Sequence, residues 1–168
     1  MKTERLTSLA LLSAAALMLS WVESMLPAFS AVPGVKIGLA NTMGLFALFM
    51  LSPKDAWIVT LIRIALSSLL FGSLFSLLYS VSGALVSLSV MCLMRSSGIF
   101  SVSGVSVAGA VSHNAGQILC AMIVMQTKGL VYYMAPLIVS GTAAGLAVGA
   151  LSALLLKKIP QKYFRNIG

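Results

Sequence analysis

The stretch that decides the fold is VAGAVSHNAGQ, which runs from Val107 to Gln117. It places three polar residues, His113, Asn114 and Gln117, in a segment that is otherwise apolar and rich in small residues. Positions i and i+4 of an α-helix share a face, so His113 and Gln117 lie together and Asn114 borders them. Polar side chains at this depth of an apolar helix are costly in lipid and mark functional sites. These residues are therefore the first candidates for a binding site.

The composition indicates a membrane protein. Of the 168 residues, 60% are hydrophobic and only 8% are charged, and the mean hydropathy is +1.05. A soluble domain usually contains about 25% charged residues. The formal net charge of +8 does not indicate nucleic acid as a partner, because the basic residues lie at the ends of apolar segments. We expect the lipid bilayer to be the solvent of this chain.

Six apolar segments are candidates for transmembrane helices, which need about 20 apolar residues each. Because the second segment is short, we expect it to be tilted or broken near Gly38. We predict an all-α fold, a single domain over residues 1–168 that forms an integral membrane bundle of six transmembrane helices. The predicted helices run from about Arg5 to Val22, Ile37 to Leu51, Ala56 to Phe71, Phe75 to Met94, Gly104 to Gln126 and Leu130 to Leu156, and a basic tail spans residues 157–168.

The basic residues predict the orientation of the bundle. Six crossings place both termini on one side of the membrane, and cytoplasmic segments are enriched in Lys and Arg. Both termini are therefore predicted to be cytoplasmic, with Lys36 and Lys128 outside. The cytoplasmic bases are then Lys2, Arg5, Lys54, Arg95, Lys157, Lys158, Lys162 and Arg165.

The acidic residues limit the chemistry of the chain. Only Glu4, Glu23 and Asp55 are present, and no Gly-x-x-x-x-Gly-Lys-Ser/Thr phosphate-binding motif occurs. Elongation of allylic diphosphates uses aspartate-rich motifs that hold magnesium and diphosphate, which one aspartate cannot provide. We therefore expect no enzymatic activity, no cofactor and no metal site in this chain.

Small residues recur every fourth position in the last two predicted helices. Such rows let helix backbones approach closely in lipid, so we expect them to pack against neighbouring helices. The rows are Gly104, Ala108, Ser112, Gly116 and Cys120 in the fifth helix, and Gly141, Gly145, Gly149 and Ala153 in the sixth.

Four stretches together carry a family resemblance. They are PGVKIGLANTMGL from Pro33, RIALSSLLFGSLFSLLYSVSGAL from Arg63, SVSGVSVAGAVSHNAGQ from Ser101, and the glycine-rich sixth helix. The chain resembles the Gx transporter family, also labelled heptaprenyl diphosphate synthase component I. That family is similar to the substrate-binding S components of energy-coupling factor (ECF) transporters.

The resemblance implies a function, a location and partners. An S component captures a small molecule from outside the bacterial cell membrane, in a pocket covered by the first outer loop, here Glu23 to Lys36. It docks on a membrane coupling subunit that is driven by two cytoplasmic ATPases supplied in trans. Docking in that class uses an Ala-x-x-x-Ala pattern on the first helix, which Ala10 and Ala14 match. The family label leaves a second interpretation open, a non-catalytic membrane subunit associated with polyprenyl diphosphate synthesis.

Arg63 is another candidate for substrate binding, because it lies near the middle of a predicted membrane helix. An arginine near the middle of a membrane helix costs at least about 2.5–3.5 kcal/mol unless it is paired or hydrated. It is either an anion contact or a structural residue bonded to Asn41, carbonyls or serines, and no carboxylate is expected at its depth. A cavity poor in acids favours an anionic or neutral ligand, and the family resemblance implies an isoprenoid or vitamin-like one. The full predicted set is Lys36, Asn41, Arg63, Tyr79, Ser80, His113, Asn114 and Gln117.

Overall fold

The computed structural model describes residues 3–25 and 38–160, which form six α-helices and one short 3-10 helix and contain no strand. The predicted all-α fold with six helices is confirmed. The short 3-10 helix Lys128–Tyr133 joins the fifth and sixth helices. The helices are α1 Thr3–Met25, α2 Asn41–Met50, α3 Pro53–Phe71, α4 Leu74–Ser97, α5 Val102–Val124 and α6 Met134–Lys158.

Capping residues explain why several helices extend beyond their predicted bounds. The Ser52 side chain accepts a hydrogen bond from the backbone N–H of Asp55, and Pro53 occupies the first turn, so α3 begins before Ala56. Gly98 has a φ of 69° and ends α4 after Ser97 rather than Met94. The first helix continues past its predicted end at Val22 and reaches Met25.

The second helix is shorter than predicted. It begins at Asn41 instead of Ile37, and the turn before it contains Gly38 with a φ of 76°. The Gly38 carbonyl accepts a hydrogen bond from the Asn41 backbone N–H. The break expected near Gly38 is therefore present. At 1.5 Å per residue, α2 is about 15 Å long, roughly half the thickness of a hydrocarbon core.

Within residues 3–25 and 38–160, four helical stretches are long and apolar enough to cross a membrane, Thr3–Met25, Leu74–Ser97, Val102–Val124 and Lys128–Lys158. The helix α2 is too short to do so alone, and α3 carries Lys54, Asp55 and Arg63. The length and composition of these helices indicate a membrane protein. Six of the ten residues of α2 are buried among the other helices, Thr42, Gly44, Leu45, Phe46, Ala47 and Leu48.

Successive helices run in opposite directions and give the bundle two different ends. At the end that we call the closed end, α1 and α3 begin side by side, and Arg5 Nη2 lies 2.7 Å from Asp55 Oδ1. The opposite end, which we call the cavity end, contains the starts of α4 and α6 and the 3-10 helix. The apolar core lies toward the closed end and includes Phe46, Leu48, Val59, Leu88 and Val105.

Glycines allow α5 to pack closely between α4 and α6. A Cβ atom at Gly145 of α6 would lie 2.7 Å from the Val107 Cα, and one at Gly149 would lie 2.8 Å from the Ser103 Cα. The predicted packing of the α6 row is therefore confirmed. The α5 row is used only in part, because Gly116 meets α4 whereas Gly104 faces only the α4–α5 link.

Candidate functional site

A cavity of about 90 Å³ lies inside the bundle, and all six α-helices contribute to its walls. Each helix brings a polar or small residue to this space, and α5 contributes more polar side chains than any other helix. The cavity contains six of the eight residues predicted to bind substrate, Asn41, Arg63, Ser80, His113, Asn114 and Gln117.

Two predicted residues do not line this cavity. Tyr79 lies one residue from Ser80 and lines a second, wider cavity. Lys36 lies outside the described residues, as does most of the predicted lid between Glu23 and Lys36.

The polar face of α5 is divided between its two neighbours. A Cβ atom at Gly83 of α4 would lie 2.8 Å from His113 Cε1 and 2.9 Å from Gln117 Cγ. His113 and Gln117 therefore share a face, as the helical spacing predicted. Asn114 instead faces α6, where its Nδ2 donates a 2.9 Å hydrogen bond to the carbonyl of Leu137.

Arg63 enters the cavity from α3 and is half-buried. Its guanidinium donates to the Asn41 Oδ1 at 3.3 Å and to the Ser20 Oγ at 3.4 Å. Both distances are longer than the usual N–H···O range of about 2.7–3.2 Å. An arginine has five N–H donors, so these two weak bonds leave donor capacity at the cavity wall. These two hydrogen bonds fit a structural role for Arg63, but they engage only part of its guanidinium.

The expectation that no carboxylate lies near Arg63 is wrong. Because α1 continues to Met25, Glu23 stands on the helix rather than in the loop. Its carboxylate accepts a hydrogen bond from the Gly38 backbone N–H, lines the same cavity as Arg63 and attracts the guanidinium. Ser20 and Glu23 lie three residues apart, so continuing the helical period of α1 beyond Val22 would have identified this residue.

Three residues at the bottom of the cavity were not among those predicted from the sequence. Ser87 and Met91 of α4 and Ser106 of α5 line it on the side of the closed end. Ser87 lies seven residues after Ser80, two helical turns along the same face, and this spacing was the signal available in the sequence. The Ser87 hydroxyl donates a 2.7 Å hydrogen bond to the Gly109 carbonyl, which links α4 to α5 beneath the cavity.

The second cavity has a volume of about 630 Å³ and lies at the cavity end, between the start of α4, the end of α5, the 3-10 helix and the start of α6. Ser80 and Gln117 line both cavities, so the two spaces adjoin at these side chains. Two further serines, Ser73 and Ser76, belong to the wider cavity. Most of its walls are apolar or aromatic, namely Phe75, Tyr79, Ile118, Ala121, Met125, Leu130, Tyr133 and Leu137.

The predicted docking residues lie on the outward face of α1. This helix packs against α2 and α3 and buries Leu9, Leu12 and Ala16. Ala10 and Ala14 are exposed on the other face. Within the described chain this face has apolar neighbours that are also exposed, Leu6, Leu11 and Met18.

Comparison with known proteins places the chain in a family. No curated protein and no solved structure matches it. The sequence model described as heptaprenyl diphosphate synthase component I matches residues 12–155. The match covers α2 to α5 completely and most of α1 and α6. The chain therefore belongs to the heptaprenyl diphosphate synthase component I family.

Proposed function

We propose that this protein is the substrate-binding S component of an ECF-type importer, which captures a small molecule from outside the cell. The observation that carries the proposal is the convergence of polar side chains from five helices, α1 to α5, on one internal cavity. In a membrane protein, polar groups at this depth are expensive and mark a substrate pathway.

The charge distribution supports an outward-facing site in the bacterial cell membrane. Among the described residues, the basic side chains of the closed end are Arg5, Lys54, Arg95, Lys157 and Lys158. Those of the cavity end are Lys128 and Arg63, the second of which lies inside the bundle. Because cytoplasmic segments are enriched in Lys and Arg, this bias supports an orientation with the closed end and both termini in the cytoplasm. The wide cavity then faces outward.

The short helix α2 also fits a transport function. Transporters build substrate sites near the bilayer midplane from discontinuous helices, whose ends approach the substrate inside the protein. The helix α2 is such an element, because it starts within the bundle and contributes Asn41 to the cavity wall.

The exposed face of α1 supplies a docking surface for a coupling subunit. Ala10 and Ala14 let another helix approach closely, since small residues at spacing four favour helix contacts in lipid. Energy for transport then comes from two cytoplasmic ATPases in trans, because the chain has no phosphate-binding motif of its own.

A non-catalytic subunit of polyprenyl diphosphate synthesis is the second candidate, and the family name favours it. A catalytic role receives no support from the acidic residues. The sole aspartate, Asp55, is buried at the closed end, where it is bonded to Arg5 and Ser52 rather than placed in either cavity.

Co-purification tests the proposal. The protein is co-expressed with an ECF coupling subunit and its tagged ATPases, and we expect all four chains to elute together. Ala10→Leu combined with Ala14→Leu is expected to abolish the complex, because two large side chains separate the helices. The matched control is Ala143→Leu combined with Ala147→Leu, two exposed alanines at the same spacing on α6, which retains it.

Two outcomes contradict the proposal. If the double variant on α1 keeps the whole complex, the docking surface is elsewhere. If the wild type elutes with a polyprenyl diphosphate synthase subunit and never with a coupling subunit, the second candidate replaces the first.

A further inference from the structure

The two adjoining cavities differ in size and chemistry. The inner one, about 90 Å³, has the polar side chains Arg63, Glu23, Asn41 and Asn114 in its walls. The outer one, about 630 Å³, is mainly apolar and aromatic. Its volume lies within the range of about 300–1,000 Å³ that is typical of sites for drug-sized ligands. The inner cavity alone holds only a few non-hydrogen atoms.

Their shared walls make the two cavities parts of one site. Ser80 of α4 and Gln117 of α5 line both spaces. A hydroxyl and an amide at this junction supply hydrogen bonds where the polar part of a ligand meets its apolar part. One molecule that extends across the junction fills both cavities.

The charges of the inner cavity define the head of that molecule. Among the described lining residues, Arg63 and Glu23 carry opposite formal charges, which cancel. The Glu23 carboxylate also accepts a hydrogen bond from the Gly38 backbone N–H before α2. This N–H is therefore already bonded to one anion and is not free to bind an anionic ligand. A diphosphate brought into this space would leave most of its charge unpaired, which is costly away from water. The site therefore favours a head that forms hydrogen bonds but has no net charge.

We infer that the site binds an amphipathic ligand, with a small, net-neutral hydrogen-bonding head in the inner cavity and an apolar tail in the outer cavity. This inference deepens the proposed function and rests on it, since it specifies the substrate class of the same importer. It differs from the anionic ligand that Arg63 alone suggests. It also argues against a polyprenyl diphosphate as the bound molecule.

The tail is tested with a blocking variant. The full-length protein is placed in lipid nanodiscs, and binding of 1-octanoylglycerol, a neutral head with an eight-carbon tail, is measured by native mass spectrometry. We expect saturable binding to the wild type and about tenfold weaker binding to Ala121→Phe, because the added ring occupies the outer cavity. The control Ala143→Phe, an exposed alanine in neither cavity, binds as the wild type does. If Ala121→Phe does not fold, Ala121→Leu replaces it.

The head is tested by competition. Geranyl diphosphate, which has a charged head and an apolar tail, is expected not to displace octanoylglycerol from the wild type. Glu23→Gln removes the negative charge and leaves Arg63 unopposed, so geranyl diphosphate should compete at least about fivefold better there than in the wild type. Glycerol, a head without a tail, should not compete in either protein.

Each remaining outcome overturns part of the inference. Equal binding of octanoylglycerol to the wild type and Ala121→Phe, or no saturable binding at all, removes the tail site. Effective displacement by geranyl diphosphate from the wild type removes the neutral head and favours a polyprenyl ligand. Complex formation with the coupling subunit is measured without any probe, so a failure here is distinct from a failure of the proposed function.

Discussion

The polar residues of the closed end form shorter hydrogen bonds within the protein than the polar residues of the cavity end do. At the closed end, Asp55 receives a 2.7 Å hydrogen bond from Arg5 and a 2.6 Å hydrogen bond from the Ser52 hydroxyl. At the cavity end, the bonds from Arg63 to Asn41 and Ser20 are 3.3 Å and 3.4 Å long. The first cluster is fully engaged with the protein, and the second still has hydrogen-bonding capacity for a ligand.

The same helices thus form a packed, hydrogen-bonded cluster at one end and the proposed binding site at the other. The helix α2 shows this division within ten residues, because Phe46 and Leu48 are at most 1% exposed whereas Asn41 lines the cavity. Binding sites are often less well packed than the structures that hold them, because unfilled space and unused donors are what a ligand requires. Substitutions at the closed end should therefore change stability, and substitutions at the cavity end should change binding.

The largest loss of stability is expected for Asp55→Asn. This variant removes the charge that pairs with Arg5, and breaking a buried ion pair costs about 3–5 kcal/mol when neither partner reaches water. Arg5 is partly exposed, so we expect a loss of about 2–3 kcal/mol. Thermal unfolding in detergent measures it, with Glu4→Gln, an exposed acid at the same end, as the control. Equal melting temperatures for both variants would show that this ion pair does not hold the closed end together.

Gly145→Ala should have the next largest effect. The new Cβ would lie 2.7 Å from the Val107 Cα, so α5 and α6 must move apart, and overpacking of this kind costs about 1–3 kcal/mol. The same substitution at Gly129 has no atom within 4 Å of the new Cβ and serves as the control. A lower melting temperature for Gly145→Ala alone is expected. An unchanged one would mean that the α6 row does not set the distance between the helices.

Arg63→Gln should separate binding from stability. Because its two hydrogen bonds are long, their loss should change the free energy of unfolding by less than about 1 kcal/mol. Binding of octanoylglycerol, in contrast, should fall at least about tenfold, as a hydrogen-bonding group of the inner cavity is lost. Both quantities are measured on one preparation. A large drop in melting temperature with unchanged binding would identify Arg63 as a structural residue.

The smallest effect is expected for Thr42→Val, and it has the opposite sign. The Thr42 hydroxyl is fully buried and has no hydrogen-bond partner among the described residues, so replacing it with a methyl group of similar size should stabilise the protein by up to about 1 kcal/mol. Ser152→Ala is a useful counterpart, since the Ser152 hydroxyl contacts the Thr42 carbonyl at 3.5 Å. Thermal unfolding of both variants gives the comparison, and a destabilised Thr42→Val would indicate a partner for that hydroxyl.

The sequence predicted the features that depend on local pattern. Apolar segment length gave the six helices, and the i, i+4 spacing put His113 and Gln117 on the face that meets Gly83. The position of Glu23 depends on how far α1 continues, and a boundary of this kind is the least certain part of any prediction. The wider cavity was not predicted, because it arises from how α4, α5 and the 3-10 helix meet, and no single segment encodes that arrangement.

The most direct test of the binding site uses whatever small molecule the protein carries from the cell. The wild type, Gln117→Ala and Asp55→Asn are purified from host membranes and compared by native mass spectrometry in one detergent. We predict that a small-molecule adduct is present on the wild type, persists on the less stable Asp55→Asn protein and is lost from Gln117→Ala, whose side chain lines both cavities. An adduct at equal level on Gln117→Ala, or no adduct on the wild type, would contradict a binding site at this position.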